Sequence, residues 1–317
     1  MSPGGQSADA ISKLEEFKED CKLRGMTHGS TLSYLSALRI YTQYLYDIGK
    51  EVHEADKTIL KGYIDYSLNE RKLSFKTLEY HFSALSAFYE WLVFEEEIPV
   101  NPVLSVRKRY LKRYKNGEGL TRGTRKIISV EDMGRLVGSI LSARDRAIVL
   151  TLAKTGVRRG ELIRIDMNDV DFDKMSILLK PTAKRSNRLI FFDEETKRVL
   201  MDWIRMRRAY AGPDSVALFI TETGRRVNKN DIYDVVVSNA TRIGLNDPSS
   251  TKLEEHFTPH CCRHWFTTHL RRSGMPREHI QELRGDSRPD AMDIYYHIDP
   301  EDLRTSYLAH IPRLGIK

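Results

Sequence analysis

Four short stretches in the second half of this 317-residue chain place polar side chains where a packed helix has no use for them. The first is Thr155-G-V-R-R-G-E-Leu162, in which a glycine interrupts a helical run, Arg158 follows at once and Glu161 lies three residues on. Taken alone, Arg158 reads as an arginine at a helix end, facing solvent or the helix dipole. The second, Pro181-T-A-K-R-S-N-Arg188, presents Lys184, Arg185 and Arg188 at the tip of a turn and leaves Lys180 on the strand before it. The third, His260-C-C-R-His264, opens just after Pro259 at a helix start, so His260 and Arg263, three apart, share one face of the first turn. His256, Cys261, Cys262 and His264 raise the question of zinc. Adjacent cysteines on a helix point about 100° apart, and no second cysteine pair completes a four-ligand set, which argues against a metal. The fourth, Gly285-D-S-R-P-D-A-M-D-I-Y-Y-His297, contains Asp286 and Tyr295; a tyrosine pair on a short helix, taken alone, reads as packing.

In this order and spacing the four stretches resemble the tyrosine recombinase (phage-type integrase) family. T-G-V-R-R-G-E-L matches its first arginine box, the basic hairpin follows, H-C-C-R-H matches its His-x-x-Arg box, and a tyrosine closes the set. Arg158 to Lys184 is 26 residues, Arg263 to Asp286 is 23, and Asp286 to Tyr295 is 9. One box alone is a weak pattern; four in register over about 140 residues are specific. The hairpin T-A-K-R-S-N-R and the tail I-Y-Y-H-I-D-P-E-D-L look most like archaeal members.

The resemblance implies a site-specific DNA recombinase that cuts and rejoins double-stranded DNA through a 3′-phosphotyrosine. Tyr295 would be the nucleophile. Arg158 and Arg263 would hold the two non-bridging oxygens, where negative charge builds, without a metal. Keeping the bond energy in the covalent link removes any need for ATP, so no cofactor is called for. Lys184, or Lys180 one turn length away, would protonate the leaving 5′-oxygen. His260 would donate to the phosphate or help take the tyrosine proton, and Glu161 would orient an arginine. Most members carry His or Trp where this chain has Asp286. A carboxylate beside a phosphate adds like charge unless an arginine neutralises it or it accepts the tyrosine proton. Two protomers per site and four in the synapse are also implied. The alternatives are a type IB-like topoisomerase using the same residues and a non-catalytic DNA-binding regulator of the same fold, although binding alone requires no nucleophile.

The elements that must carry these residues are mostly helical. Residues 1–105 read as a four-helix unit, the DNA clamp of the resemblance: Ala10, Leu14, Phe17 and Cys21 stripe one segment up to Gly25. Ser30 suits an N-cap for a second, with Leu35, Leu38, Tyr41 and Leu45 on one face before Gly49. Asp56 suits a third with Leu60, Ile64 and Leu68, and a fourth from Ser74 carries Leu78, Phe82, Leu85, Phe88 and Leu92 until Pro99 and Pro102 forbid more. Residues 106–128 read as a basic linker, nine cationic side chains against one acid with three glycines. Lys108, Arg109, Lys112 and Arg113 there, with Arg185 and Arg188, are DNA-backbone candidates. The second unit, 129–317, starts at a capping-box-like Ser129-V-E-Asp132. Helices are expected at 130–141, 143–156, 195–210, 230–243, 259–273, 276–283, 290–297 and 301–310, with a β-hairpin from Met175–Leu179 and Leu189–Phe192. In the tail, 296–317, Leu303, Tyr307, Leu308 and Ile311 recur at helical spacing, fit to pack on their own domain or on a neighbour.

Composition bounds the class. With 40% hydrophobic and 30% charged residues the chain is an ordinary globular protein of two domains, mostly α with a small β-hairpin. No apolar run approaches the ~20 residues of a membrane span, and Met1–Asp9 lacks a signal-peptide core. Three cysteines build no disulfide framework, so a cytoplasmic protein is expected. The net charge of +7 permits a polyanionic partner, and its distribution is uneven. Residues 1–105 hold 11 basic against 16 acidic side chains, an odd balance for a DNA clamp unless Lys18, Lys22, Lys72 and Lys76 share a face.

Overall fold

Ser7 accepts a hydrogen bond from the backbone N–H of Ala10 and so starts the first helix, α1 (Ala8–Leu23), in a computed structural model that describes residues 7–111, 126–181, 187–212, 215–286 and 298–316. The chain divides into two units, Met1–Thr121 and Arg122–Lys317. No described helix is long and apolar enough to cross a membrane.

In the first unit α1 is followed by α2 (His28–Asp47), α3 (Lys57–Asp65, continued by a π turn over Tyr66–Glu70), α4 (Phe75–Phe94) and α5 (Val103–Val106). The buried residues of α1 are the expected Ala10, Leu14, Phe17 and Cys21, spaced four, three and four apart on one face. Phe17 meets Phe88 of α4 edge-on at 5.4 Å between ring centroids. Two expectations need correction. Thr27, not Ser30, caps α2: its hydroxyl accepts from the Ser30 N–H at 3.3 Å, so Ser30 already lies within the first turn. The first residues of the expected linker are also helical, because Val106 and Leu111 at the ends of a π turn, Arg107–Leu111, are buried in this unit's core. Lys108 and Arg109 stand exposed between them. Lys18 and Lys22 pair with Glu15 and Glu19 of their own helix.

The second unit is built around α7 (Ala143–Thr155), buried continuously from Ala147 onward. Around it lie α6 (Val130–Ser139), α8 (Arg159–Arg164), α9 (Glu194–Arg207), α10 (Lys229–Arg242) and α11 (Pro259–Arg272). A sheet of three antiparallel strands, β1 (Val170–Asp171), β2 (Ser176–Leu179) and β3 (Arg188–Phe191), pairs Ile177 with Ile190 and Leu178 with Leu189. The hairpin is as expected and β1 is an addition. α12 (Arg277–Arg284) and α13 (Pro300–His310) complete the described unit; the helix expected at 290–297 lies outside the described residues.

The tail packs on its own unit. Leu303, Tyr307 and Ile311 bury against Phe191, Phe266, Leu270, Ile280 and Leu283. Beneath them the fully buried Lys154 donates to Asp193 at 2.6 Å, Glu195 at 2.7 Å and the Pro312 carbonyl at 2.5 Å. Glu195 also accepts from the backbone N–H groups of Leu314 and Ile316. Burying a lysine requires such complete pairing, since an unpaired charge there would cost several kcal/mol.

Candidate active site

The first side chain of the site is set by a helix stop. α7 ends at Gly156, whose φ of +62° is the left-handed conformation that glycine adopts without strain. Two residues on, Arg158 is the N-cap of α8, and its backbone N–H donates to Glu161 Oε2 at 2.8 Å. The Glu161 N–H in turn donates to the Arg158 carbonyl at 2.9 Å, which fixes the backbone at the head of the helix. Arg158 Nη1 donates to the Arg284 carbonyl and its Nη2 to Asp286 Oδ1, both at 3.1 Å.

Arg263 arrives from α11, with a side chain only 3% exposed. Nη1 donates to the Gly156 carbonyl at 2.6 Å, and Nη2 to the Arg284 carbonyl at 2.9 Å and to Asp286 Oδ1 at 3.1 Å. Burial, with the charges of Arg158 and Arg284 nearby, pushes its guanidinium down to about 9, which leaves it charged at neutral pH. Two arginines from helices more than 100 residues apart in sequence thus converge on one carboxylate oxygen. Among the described residues this is where the two sequence-predicted arginines and Asp286 come together.

Two further arginines frame them. Arg188 lies at the start of β3 rather than at the hairpin tip, and its side chain is 8% exposed. Its Nη1 and Nη2 each donate to one oxygen of Glu161 at 3.0 Å, and its Nε donates to the Leu283 carbonyl at 3.2 Å. Expected as a DNA-backbone contact, Arg188 instead has three of its five N–H donors engaged by Glu161 and the Leu283 carbonyl, in a nearly buried position. Burial works to raise the Glu161 carboxyl, but hydrogen bonds from Arg188 and the Arg158 backbone hold it below its usual range. Gly285, at φ +59°, lets the chain pass the Arg188 guanidinium, which a Cβ would approach to 2.7 Å. Arg284, missed in the sequence, closes α12 and sets its Nη2 3.2 Å from Asp286 Oδ2. Its only sequence signal was a basic residue two before the aspartate.

His260 is exposed on the first turn of α11, its ring edge-on to His264 at 4.6 Å. Lys180 faces a different set of partners. Its Nζ pairs with Asp166 and, at 3.3 Å, with Asp169, and the hydrogen bond to Asp166 raises it above the usual lysine value. Arg226 shares Asp166 from the other side at 2.6 Å. Tyr295, Lys184 and Arg185, like Lys112 and Arg113 of the linker, lie outside the described residues.

Both units are similar to known proteins. Residues 126–302 match the phage integrase family, and residues 14–98 match the N-terminal SAM-like domain of phage integrases. Tyrosine recombinase XerC of Escherichia coli is 26% identical over 264 residues, which is 82% of this chain and 82% of that protein. The Tn1549 transposon integrase in complex with transposon right end DNA superimposes with a TM-score of 0.67 at 21% identity, over 92% of this chain and 97% of that one. A lambda integrase dimer bound to a COC′ core site gives a TM-score of 0.67 at 15% identity, over 92% and 98%.

Proposed function

From the premise that this chain belongs to the phage integrase family, we propose the course of its reaction. The protein is a tyrosine-type site-specific DNA recombinase. In the proposed course Arg158 and Arg263 clamp the scissile phosphate and Tyr295 Oη attacks its phosphorus as its proton passes to His260. The P–O bond to the 5′-oxygen breaks as the 3′-phosphotyrosine bond forms, and Lys184 protonates the leaving oxygen. A 5′-hydroxyl from the partner strand then reverses the step, releasing Tyr295. The arginines supply the charge stabilisation, and the phosphotyrosine stores the bond energy for rejoining.

The observation that carries this reading is the convergence of Arg158 Nη2 and Arg263 Nη2 on one anionic oxygen, each at 3.1 Å. Two guanidiniums held by backbone carbonyls and aimed at a single anion position form a preorganised phosphate clamp. His260, on the same turn as Arg263, is proposed to donate to that phosphate, and Glu161 to orient Arg188 and the Arg158 backbone.

Double-stranded DNA is the substrate. Lys108 and Arg109, exposed in the first unit, together with Lys112, Arg113 and Arg185, are proposed to follow its backbone. A helical clamp over 1–105, a linker to 128 and a catalytic domain from 129 remain the proposed division of labour, in the cytoplasm where DNA is at hand. The lambda integrase structure holds a dimer on a core site, which supports two protomers per site here; pairing of two such sites would put four in the proposed synapse. The finer likeness to archaeal members rests on hairpin and tail residues; the XerC relative is bacterial. Relaxation of supercoils and DNA binding without chemistry are less favoured, because the relatives are recombinases.

The test mixes the protein with fragmented genomic DNA and adds denaturant. DNA covalently attached at Tyr295 in the wild type, and absent from Tyr295→Phe, is the expected result. No attachment, or attachment that survives Tyr295→Phe, overturns the reading, and sequencing attached fragments gives the site.

A further inference from the structure

Asp286 is held in the way a phosphate would be. Its Oδ1 accepts from Arg158 Nη2 and Arg263 Nη2, each at 3.1 Å, while Oδ2 pairs with Arg284 Nη2 at 3.2 Å. A carboxylate and the two non-bridging oxygens of a phosphodiester present similar pairs of anionic oxygens to a guanidinium. Both cannot occupy this clamp, because like charges at contact repel and the same donors would be needed twice. Arg284 carries a second clue. Its Nε is buried with no hydrogen-bond partner among the described residues, although a buried guanidinium donor ordinarily has one. The Nε and Nη2 edge of an arginine is a two-toothed carboxylate site, and here only the Nη2 tooth is engaged.

We propose that Asp286 is an internal anion that fills the phosphate clamp in the DNA-free protein, and that Arg284 receives it when a phosphate enters. The carboxylate keeps Arg158 and Arg263 assembled while the site is empty, when the buried Arg263 and the half-buried Arg158 beside it would otherwise repel. An arriving phosphate takes over Oδ1's two partners. The carboxylate then turns onto the Nε and Nη2 edge of Arg284, which satisfies the unpartnered Nε. Phosphate binding is thus an exchange of anions, and the clamp discriminates against weak anions because each must displace a carboxylate held at high local concentration. No bond is made or broken in the exchange. The inference rests on the phosphate-clamp reading above, but its test contains no DNA, so it can fail or succeed independently of strand cleavage.

The probe is inorganic phosphate, titrated into the full-length protein and followed by thermal unfolding, with sodium chloride at matched ionic strength as control. Asp286→Asn and Asp286→Ala are each expected to gain about 4 °C more from phosphate than the wild type does, since the ligand refills an anion site left open. Arg284→Gln is expected to weaken phosphate binding about tenfold in the wild-type background, because the displaced carboxylate has nowhere to go. In the Asp286→Asn background the same change should leave phosphate affinity unaltered. Should Asp286→Asn unfold in chloride, recovery in phosphate would report the same exchange, and unfolding in both would overturn it. An equal phosphate response in wild type and both Asp286 variants sinks the proposal. So does a loss from Arg284→Gln that is the same with and without Asp286, which would make Arg284 a direct phosphate ligand.

Discussion

The carbonyl of Gly156 accepts a hydrogen bond from Arg263 Nη1 at 2.6 Å, so the residue that ends α7 also sets the position of Arg263. The same glycine holds φ at +62°, and a Cβ there would stand 2.4 Å from the Phe266 ring. Gly156→Ala therefore adds left-handed strain to a clash with a buried aromatic. We expect it to destabilise the second unit by about 3 kcal/mol, read as a lower urea midpoint. Cleavage measured well below the unfolding temperature should fall further than DNA affinity, because moving the carbonyl moves Arg263. A variant as stable and as active as the wild type would mean that Phe266 and the backbone give way freely.

Glu161 links stability to pH. Its carboxyl lies below its usual range when folded, so its contribution is present above the unfolded value of about 4.3 and is lost as pH falls through the folded value. Glu161→Gln leaves the buried Arg188 without a counter-charge and should lower stability at pH 7 by about 3 kcal/mol. The difference from the wild type should shrink as pH falls below the unfolded value of about 4.3, and be lost once the native carboxyl takes up its proton. A constant difference from pH 7 to pH 3 in urea unfolding would assign the loss to packing instead.

These two residues also mark what a sequence can disclose. Local patterns were legible: the apolar stripe of α1, the caps at Asp56 and Ser129, the helix start near Ser74 and the glycine stop at 156 depend on neighbours within one or two turns. Arg158 and Arg263 were singled out by residue type and spacing, and the structure brings both onto Asp286. The burial of Arg188 was not legible, because the partner that closes its fork, Glu161, lies 27 residues away on another element, and nothing local distinguishes a buried arginine from a solvated one. Arg284 and Lys154 were missed for the same reason. The periodicity of the tail showed its apolar face but not the groove that face fills, which is formed by β3, α11 and α12.

The Lys154 hub should control the tail. Lys154→Met leaves Asp193 and Glu195 close together and uncompensated and removes the donor to the Pro312 carbonyl. Breaking such a buried pair from one side costs about 3–5 kcal/mol. Loosening should begin where the anchor was, so trypsin should cut after the exposed Arg313 at protease concentrations that leave the wild type intact. Mass spectrometry of the digest checks this. Uniform digestion of both proteins, with no early product ending at Arg313, would show that Tyr307 and Leu303 hold the tail without the ionic anchor.

The general acid can be assigned by changing the leaving group. Lys180 is engaged by Asp166 and Asp169 and its proton is held more tightly than in a free lysine, both of which make it a poor donor to a departing oxygen. Lys184 is therefore expected to be the donor, and Lys184→Met should slow cleavage by about 10²- to 10⁴-fold. A substrate carrying sulfur in place of the leaving 5′-oxygen needs no proton on departure, because a thiolate is a stable leaving group at neutral pH. On that substrate Lys184→Met should cleave at the wild-type rate, while Arg158→Ala and Arg263→Ala should stay impaired, since their stabilisation of the phosphate oxygens is still required. Lys180→Met should cleave the ordinary substrate normally and show its effect as a loss of stability at the base of the hairpin. If Lys180→Met were instead the slow variant and the one rescued by sulfur, the ion pairs to Asp166 and Asp169 would have to open during the reaction, and the two lysines would exchange roles.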